Sequence, residues 1–169
     1  MKKFLMLIAV VGAFISTDVV AQDSKPLSPK ETVKGTIGAS NIEIVYCRPS
    51  ARGRKMLGEK EKFGTVWRTG ANDATSIEFS NAVKIEGKDL AAGKYALFTI
   101  PGEKEWVIIF NKNFDQMGAY EYSEALDVLR VTVPTGKTAA FVETFTIAIE
   151  KDKINLQWEN TAVAFKVKG

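Results

Sequence analysis

From residue 42 onward, apolar and polar side chains alternate with a period of two, and this pattern restricts most of the chain to β-strands. Ile42, Ile44 and Tyr46 alternate with Glu43, Val45 and Cys47, and Ile77 and Phe79 flank Glu78. Tyr95, Leu97 and Thr99 alternate with Ala96, Phe98 and Ile100. Residues 106–110 are nearly continuously apolar, as expected of a strand buried on both faces. Further strand-like runs cover 128–133, 141–149, 154–158 and 162–167. Turn-forming residues separate the runs at Glu86-Gly87-Lys88, Ala92-Gly93, Pro101-Gly102-Glu103, Pro134-Thr135-Gly136 and Lys151-Asp152-Lys153. Strands succeed one another at intervals of around ten residues, so about eight or nine of them are expected in an antiparallel β-sandwich or jelly-roll-like fold. Ser123-Glu124-Ala125-Leu126 is the one stretch that reads as a helical opening.

The N-terminus has the layout of a secretory signal peptide over residues 1–21. Met1-Lys2-Lys3 is basic, an apolar run follows to Ile15, and Val19-Val20-Ala21 sets small residues before Gln22. The run is too short for a membrane span, which needs about 20 apolar residues. An exported chain is expected, periplasmic or secreted to the cell surface, with an N-terminal arm over 22–31 and a single β-sandwich domain over 32–169. No membrane span is expected after cleavage. Two lysines and one aspartate leave with the leader, which lowers the formal charge from +3 to +2. So weak a balance argues against a nucleic-acid partner. Cys47 is the single cysteine, so no internal disulfide forms. The absence of histidine removes Ser-His-Asp and Cys-His catalysis and histidine metal sites. Neither a metal nor an organic cofactor is expected, and the oligomeric state is left open.

One segment breaks the rhythm. Residues 48–72, about 25 in all, lack strand pattern, and irregular segments of that length in compact domains are often functional. Four of the five arginines lie there: Arg48, Arg52, Arg54 and Arg68. A guanidinium fork grips carboxylate, phosphate or sulfate at two points, as lysine does not. With Trp67 as an apolar wall and Asn72 and Thr75 as short hydrogen-bonding groups, these residues form a candidate polar site for a small anion or a glycan. Tyr46, Cys47 and Asp73 are secondary contributors. The competing reading is a clamp, in which the arginines pair with Glu43, Glu59, Glu61, Asp73 or Glu78 and only fasten the loop. Trp67 reads more readily as core than as a platform, and Cys47 as a small buried side chain.

The words Tyr46-Cys47-Arg48-Pro49-Ser50, Gly53-Arg54, Trp67-Arg68-Thr69-Gly70-Ala71-Asn72-Asp73-Ala74-Thr75 and 93–102 resemble a family of exported bacterial proteins. The family is common in Bacteroidetes-type organisms and is catalogued only as a domain of unknown function. The resemblance runs from about residue 30 to the C-terminus, nearly all of the chain after its leader. Cys47 and Asp73 depart from the family pattern, which often has Ser and Glu there, and the first departure weakens any thiol mechanism. The resemblance implies no activity or catalytic residue; its motif is concentrated in the same arginine-rich loop.

The favoured reading is a non-catalytic binding or accessory domain. One alternative is a structural envelope protein whose arginine cluster is a clamp. Another is a histidine-free hydrolase or lyase using Tyr46 or a carboxylate such as Asp73, Glu78 or Glu143. A narrower idea is a covalent cross-link from Asn72 or Asp73 to a nearby amine.

Overall fold

The computed structural model describes residues 26–169, so the expected signal peptide and residues 22–25 of the arm lie outside the described residues. Nine antiparallel strands follow one another as β1 (Lys30–Ile37), β2 (Ser40–Cys47), β3 (Ser76–Phe79), β4 (Val83–Ile85), β5 (Lys88–Leu90), β6 (Gly93–Ile100), β7 (Glu105–Asn111), β8 (Asp127–Ile149) and β9 (Lys153–Lys168). A 3-10 turn at Glu124–Leu126 is the only helical piece among the described residues, where the helical opening was expected. The strands hydrogen-bond in the order β1-β2-β3-β6-β7-β8-β9-β4-β5. This is the expected all-β, sandwich-like class.

The alternation read in the sequence sets the inner faces. Ile42, Ile44 and Tyr46 of β2, Ile77 and Phe79 of β3, and Ile108 and Phe110 of β7 are buried on one side. They meet Phe145 and Ile147 of β8 and Leu156, Trp158 and Phe165 of β9. Edge-to-face contacts at 5.8 Å (Tyr46–Phe145) and 5.9 Å (Phe110–Phe165) join the two layers. The far side of β6 and β7 is covered too. Ala96, Phe98 and Ile109 pack there with Ala74, Val66, Ala119 and Tyr122. That explains the unbroken apolar run of β7.

Four features differ from the sequence expectation. β1 opens at Lys30 and so takes in the last two residues of the expected arm. β4 and β5 were not expected; they are three residues each, joined through Glu86 and Gly87, which both hold positive φ (48° and 83°) as a tight two-residue hairpin requires. The break expected at Pro134-Thr135-Gly136 is instead a change of partner. Residues up to Pro134 pair with β7 and those from Thr135 with β9, so β8 belongs to both layers. Proline has no N–H to give and sits at the last rung of the β7 ladder, where none is missed. β9 likewise runs through the gap expected between 158 and 162, kinked at Glu159, whose φ is 53°.

No helix among the described residues is long and apolar enough to cross a membrane.

Candidate functional site

The β2–β3 connection, residues 48–75, carries no named strand. Its first half lies along β8. The N–H groups of Ala51 and Phe145 reach the carbonyls of Glu143 and Pro49, both at 2.9 Å. Carboxylates hold it as well. Glu143 accepts the Arg52 N–H at 2.6 Å, and Glu159 accepts those of Met56 and Leu57, each at 2.9 Å. Backbone donors in an irregular segment need such acceptors.

The arginines of this segment do not share one hollow. Arg48 pairs with Glu31 and donates from Nε to the Phe145 carbonyl (3.2 Å) and from Nη2 to Thr146 Oγ1 (2.9 Å). Arg52 reaches the Leu27 carbonyl at 2.8 Å. Arg54 folds onto its own loop, to the carbonyls of Ala51 (3.0 Å) and Ser50 (3.1 Å). The buried Arg68 Nε has no acceptor among the described residues. Its charge does reach Glu61. Burial pushes the Glu61 carboxyl above its ordinary value, and the Arg68 guanidinium offsets only part of this. An acid held above its unfolded value stabilises the fold at low pH, and that contribution fades as pH rises through the folded pKa. Glu61→Gln is therefore expected to raise the Tm at pH 7, with the gain vanishing by about pH 4, where the parent carboxyl is protonated in both states. Thermal melts across that range check this; a difference that does not change with pH counts against it.

The second half of the connection is a plug. The Trp67 ring stacks on Trp158 (5.6 Å, 12°), meets Phe145 at 5.0 Å, and donates from Nε1 to the Gly70 carbonyl at 3.1 Å. Trp67 is thus core. Thr75 is buried, and its hydroxyl donates to the Thr69 carbonyl at 2.7 Å. Gly70 has no room for a side chain, since a Cβ there would stand 2.9 Å from the Cys47 carbonyl oxygen and 3.0 Å from Thr75 Oγ1. Tyr46 turns its hydroxyl inward to accept the Ile147 N–H at 2.9 Å, and burial raises its pKa.

Beyond the plug lies a hollow of about 620 Å³, on the outer side of β2, β3 and β6. Cys47, Asp73, Ser76, Lys30 and Lys94 line it, and the 114–117 stretch and Glu121 wall it in from the β7–β8 connection. Three of the secondary sequence candidates, Tyr46, Cys47 and Asp73, are among its lining residues, whereas the four loop arginines, Trp67, Asn72 and Thr75 are not. Asn72, at φ 58°, instead fixes the wall through its carbonyl, which accepts the Gly118 N–H at 2.9 Å. Asp73 bonds Lys30 at 3.1 Å, and both side chains are more than half exposed. The pair is therefore a solvated ion pair and lacks the dry surroundings in which a cross-link would form. Of the other carboxylates considered, Glu143 holds the loop and Glu78 lines a separate shallow groove with Lys34 and Glu43. Among the described residues no group of three His, Cys, Asp or Glu is placed to hold a metal ion.

Gln116 stands out in this wall. It is only 7% exposed. Its Nε2 donates to the Asn113 carbonyl at 2.7 Å, which fixes the amide's orientation, and its Oε1 meets no donor among the described residues. A buried acceptor left unpaired costs about 1–3 kcal/mol. At the rim, Phe114 and Met117 are exposed, and Lys94 Nζ lies 5.2 Å from the Phe114 ring centroid. These wall residues escaped the sequence reading. The signal available was the run between Phe110 and Asp127, which is long, patternless and rich in polar and aromatic residues.

A family model described as "Protein of unknown function (DUF2911)" matches residues 28–167. No curated protein and no solved structure matches the chain.

Proposed function

The chain belongs to the DUF2911 family, for which no activity is assigned, and on that premise we propose that it is an exported, non-catalytic binding domain whose hollow takes a glycan. The observation that carries this reading is a polar hollow of about 620 Å³ lined by Asp115 and Glu121, with the exposed Phe114 ring at its rim. Sugar hydroxyls are donors that can reach the Asp73, Asp115 and Glu121 carboxylates lining the hollow. Phe114 supplies an exposed ring at the rim, on which a sugar face can lie. The geometry favours this over a small anion, because Arg48, Arg52 and Arg54 already donate to protein oxygens.

A panel of short oligosaccharides, screened by thermal shift on the exported chain, tests the reading. A ligand present at 100 times its Kd stabilises the folded state by about 2.7 kcal/mol. Phe114→Ala is expected to weaken binding about tenfold, and Arg54→Ala to leave it unchanged. If instead sulfate or phosphate stabilises the protein and Arg54→Ala abolishes the effect, the site is the arginine-lined one. The arginine contacts also favour a second reading, a structural envelope domain with a clamped loop; a panel without any shift would decide for it.

A further inference from the structure

We propose that two copies of this chain join edge to edge through β1, each continuing the other's sheet across a two-fold axis. The inference goes beyond the glycan reading and does not depend on it. β1 stands at one end of the hydrogen-bonded order, with β2 as its ladder neighbour. The hairpin fixes which of its backbone groups are left over. Ile37 pairs with Ser40 across a two-residue turn, and at the other end of the ladder the Arg48 N–H bonds the Pro29 carbonyl at 2.9 Å. Glu31, Val33, Gly35 and Ile37 therefore turn their backbone groups toward β2. Asn41, opposite Thr36, agrees with this parity, since its carbonyl faces β3 and accepts the Ser80 N–H at 2.9 Å. Lys30, Thr32, Lys34 and Thr36 thus point their backbone groups outward, where they meet no partner among the described residues. The same four residues are exposed.

A bare edge is ordinarily guarded by shortness, a proline, a bulge or a charge. β1 carries no such guard. It runs eight residues in unbroken register without a proline. Its lysines are neutralised within the chain, Lys30 by Asp73 and Lys34 by Glu43, and the inward Glu31 is held by Arg48. At the other end of the order, β5 is only three residues long. The β1 edge is also self-complementary. Set antiparallel about Val33, Thr32 of one copy faces Lys34 of the other, and Lys30 faces Thr36, so the four outward residues satisfy one another and no lysine stands opposite a lysine. On the inner face Val33 meets its own copy. Val33 is only partly buried in the single chain, as is Ile149, which lies so close to Gly35 that a Cβ there would stand 2.8 Å from Ile149 Cγ2. The joined sheet covers this open flank of the core. Because each copy uses up its β1 edge in the contact, the assembly closes at two. Both hollows, each lined in part by Lys30, then open on the same side of the joined sheet.

Sedimentation equilibrium of the exported chain over a range of concentrations tests this. The expected result is a mass that doubles and then levels off. Thr32→Pro removes an N–H that points away from β2, so it should abolish the dimer and leave the Tm unchanged. Val33→Cys sets two thiols directly opposite each other, at a Cβ separation of about 5 Å, and should cross-link the dimer under mild oxidation, whereas Thr36→Cys should not. Cys47, at 4% exposure, does not compete. A chain that stays monomeric at every concentration overturns the proposal. So does a mass that keeps growing past the dimer, a dimer that survives Thr32→Pro, or cross-linking through Thr36→Cys in preference to Val33→Cys. If Thr32→Pro lowers the Tm, the cross-link decides, and no disulfide through Val33→Cys overturns the two-fold contact.

Discussion

Trp67→Ala is expected to destabilise the domain by about 3–5 kcal/mol, the cost of removing a large aromatic side chain from a close-packed core. Trp67 is 2% exposed and sits among Trp106, Phe145 and Trp158 at centroid distances of 6.0, 5.0 and 5.6 Å. Its indole N–H is the donor to the Gly70 carbonyl, so truncation also leaves that buried oxygen without its partner. The effect should exceed that of Trp67→Phe, which keeps part of the volume. Urea denaturation followed by far-UV circular dichroism measures it, and a loss below about 1 kcal/mol would show that the plug can collapse without strain. Trp67 is thus the core residue that the sequence favours over a ligand platform, and a keystone between the loop and both layers.

Asp127→Ala is the second large expected effect, a loss of about 3 kcal/mol. The Asp127 side chain is 6% exposed and accepts from three groups: Asn111 Nδ2 at 2.6 Å, Tyr122 hydroxyl at 2.8 Å and Arg130 Nε at 2.6 Å. Arg130 also reaches Glu124 at 3.3 Å. One carboxylate thus ties the foot of the β7–β8 connection, the same segment that walls the hollow. Removal takes one of two acceptors from the buried Asn111 amide, which keeps only the Ser123 carbonyl at 2.9 Å, and frees the segment's end. The Tyr122 phenol gives a spectroscopic readout. Burial, reinforced by its bond to Asp127, pushes it up to about 12, while Arg130 pulls the other way. The phenol therefore stabilises the parent fully below its unfolded pKa of about 10, and this is lost as pH rises through the folded value. In Asp127→Ala the absorbance titration of Tyr122 should move down toward the ordinary range. An unmoved titration together with native stability would contradict the tie.

Much of the fold could be read from the chain because inward and outward positions on β2, β3, β6 and β7 carry different chemistry. Where that contrast is weak, reading failed. β1 offers only Val33 and Ile37 as apolar residues, and three residues are too few for β4 or β5 to show a period. Pro134 read as a stop because proline lacks a ladder donor, yet a strand that is changing partners does not need one there. The site was harder still. A guanidinium that grips a ligand and one that grips the Phe145 or Ala51 carbonyl look identical in sequence, so the clustered arginines did not distinguish a ligand site from a clamp. The hollow has no local signature. Lys30, Cys47, Asp73, Lys94 and Gln116 meet only because five separate stretches converge on the outer side of β2, β3 and β6.

β8 is hydrogen-bonded to β7 along one half and to β9 along the other. A strand held in common in this way works like a hinge pin left in place: neither leaf can be lifted off while the other stays intact. Peeling away β9 strips the far half of the pin, and pulling out β7 strips the near half. Partial opening is therefore confined to the margins, above all at the short β4–β5 hairpin.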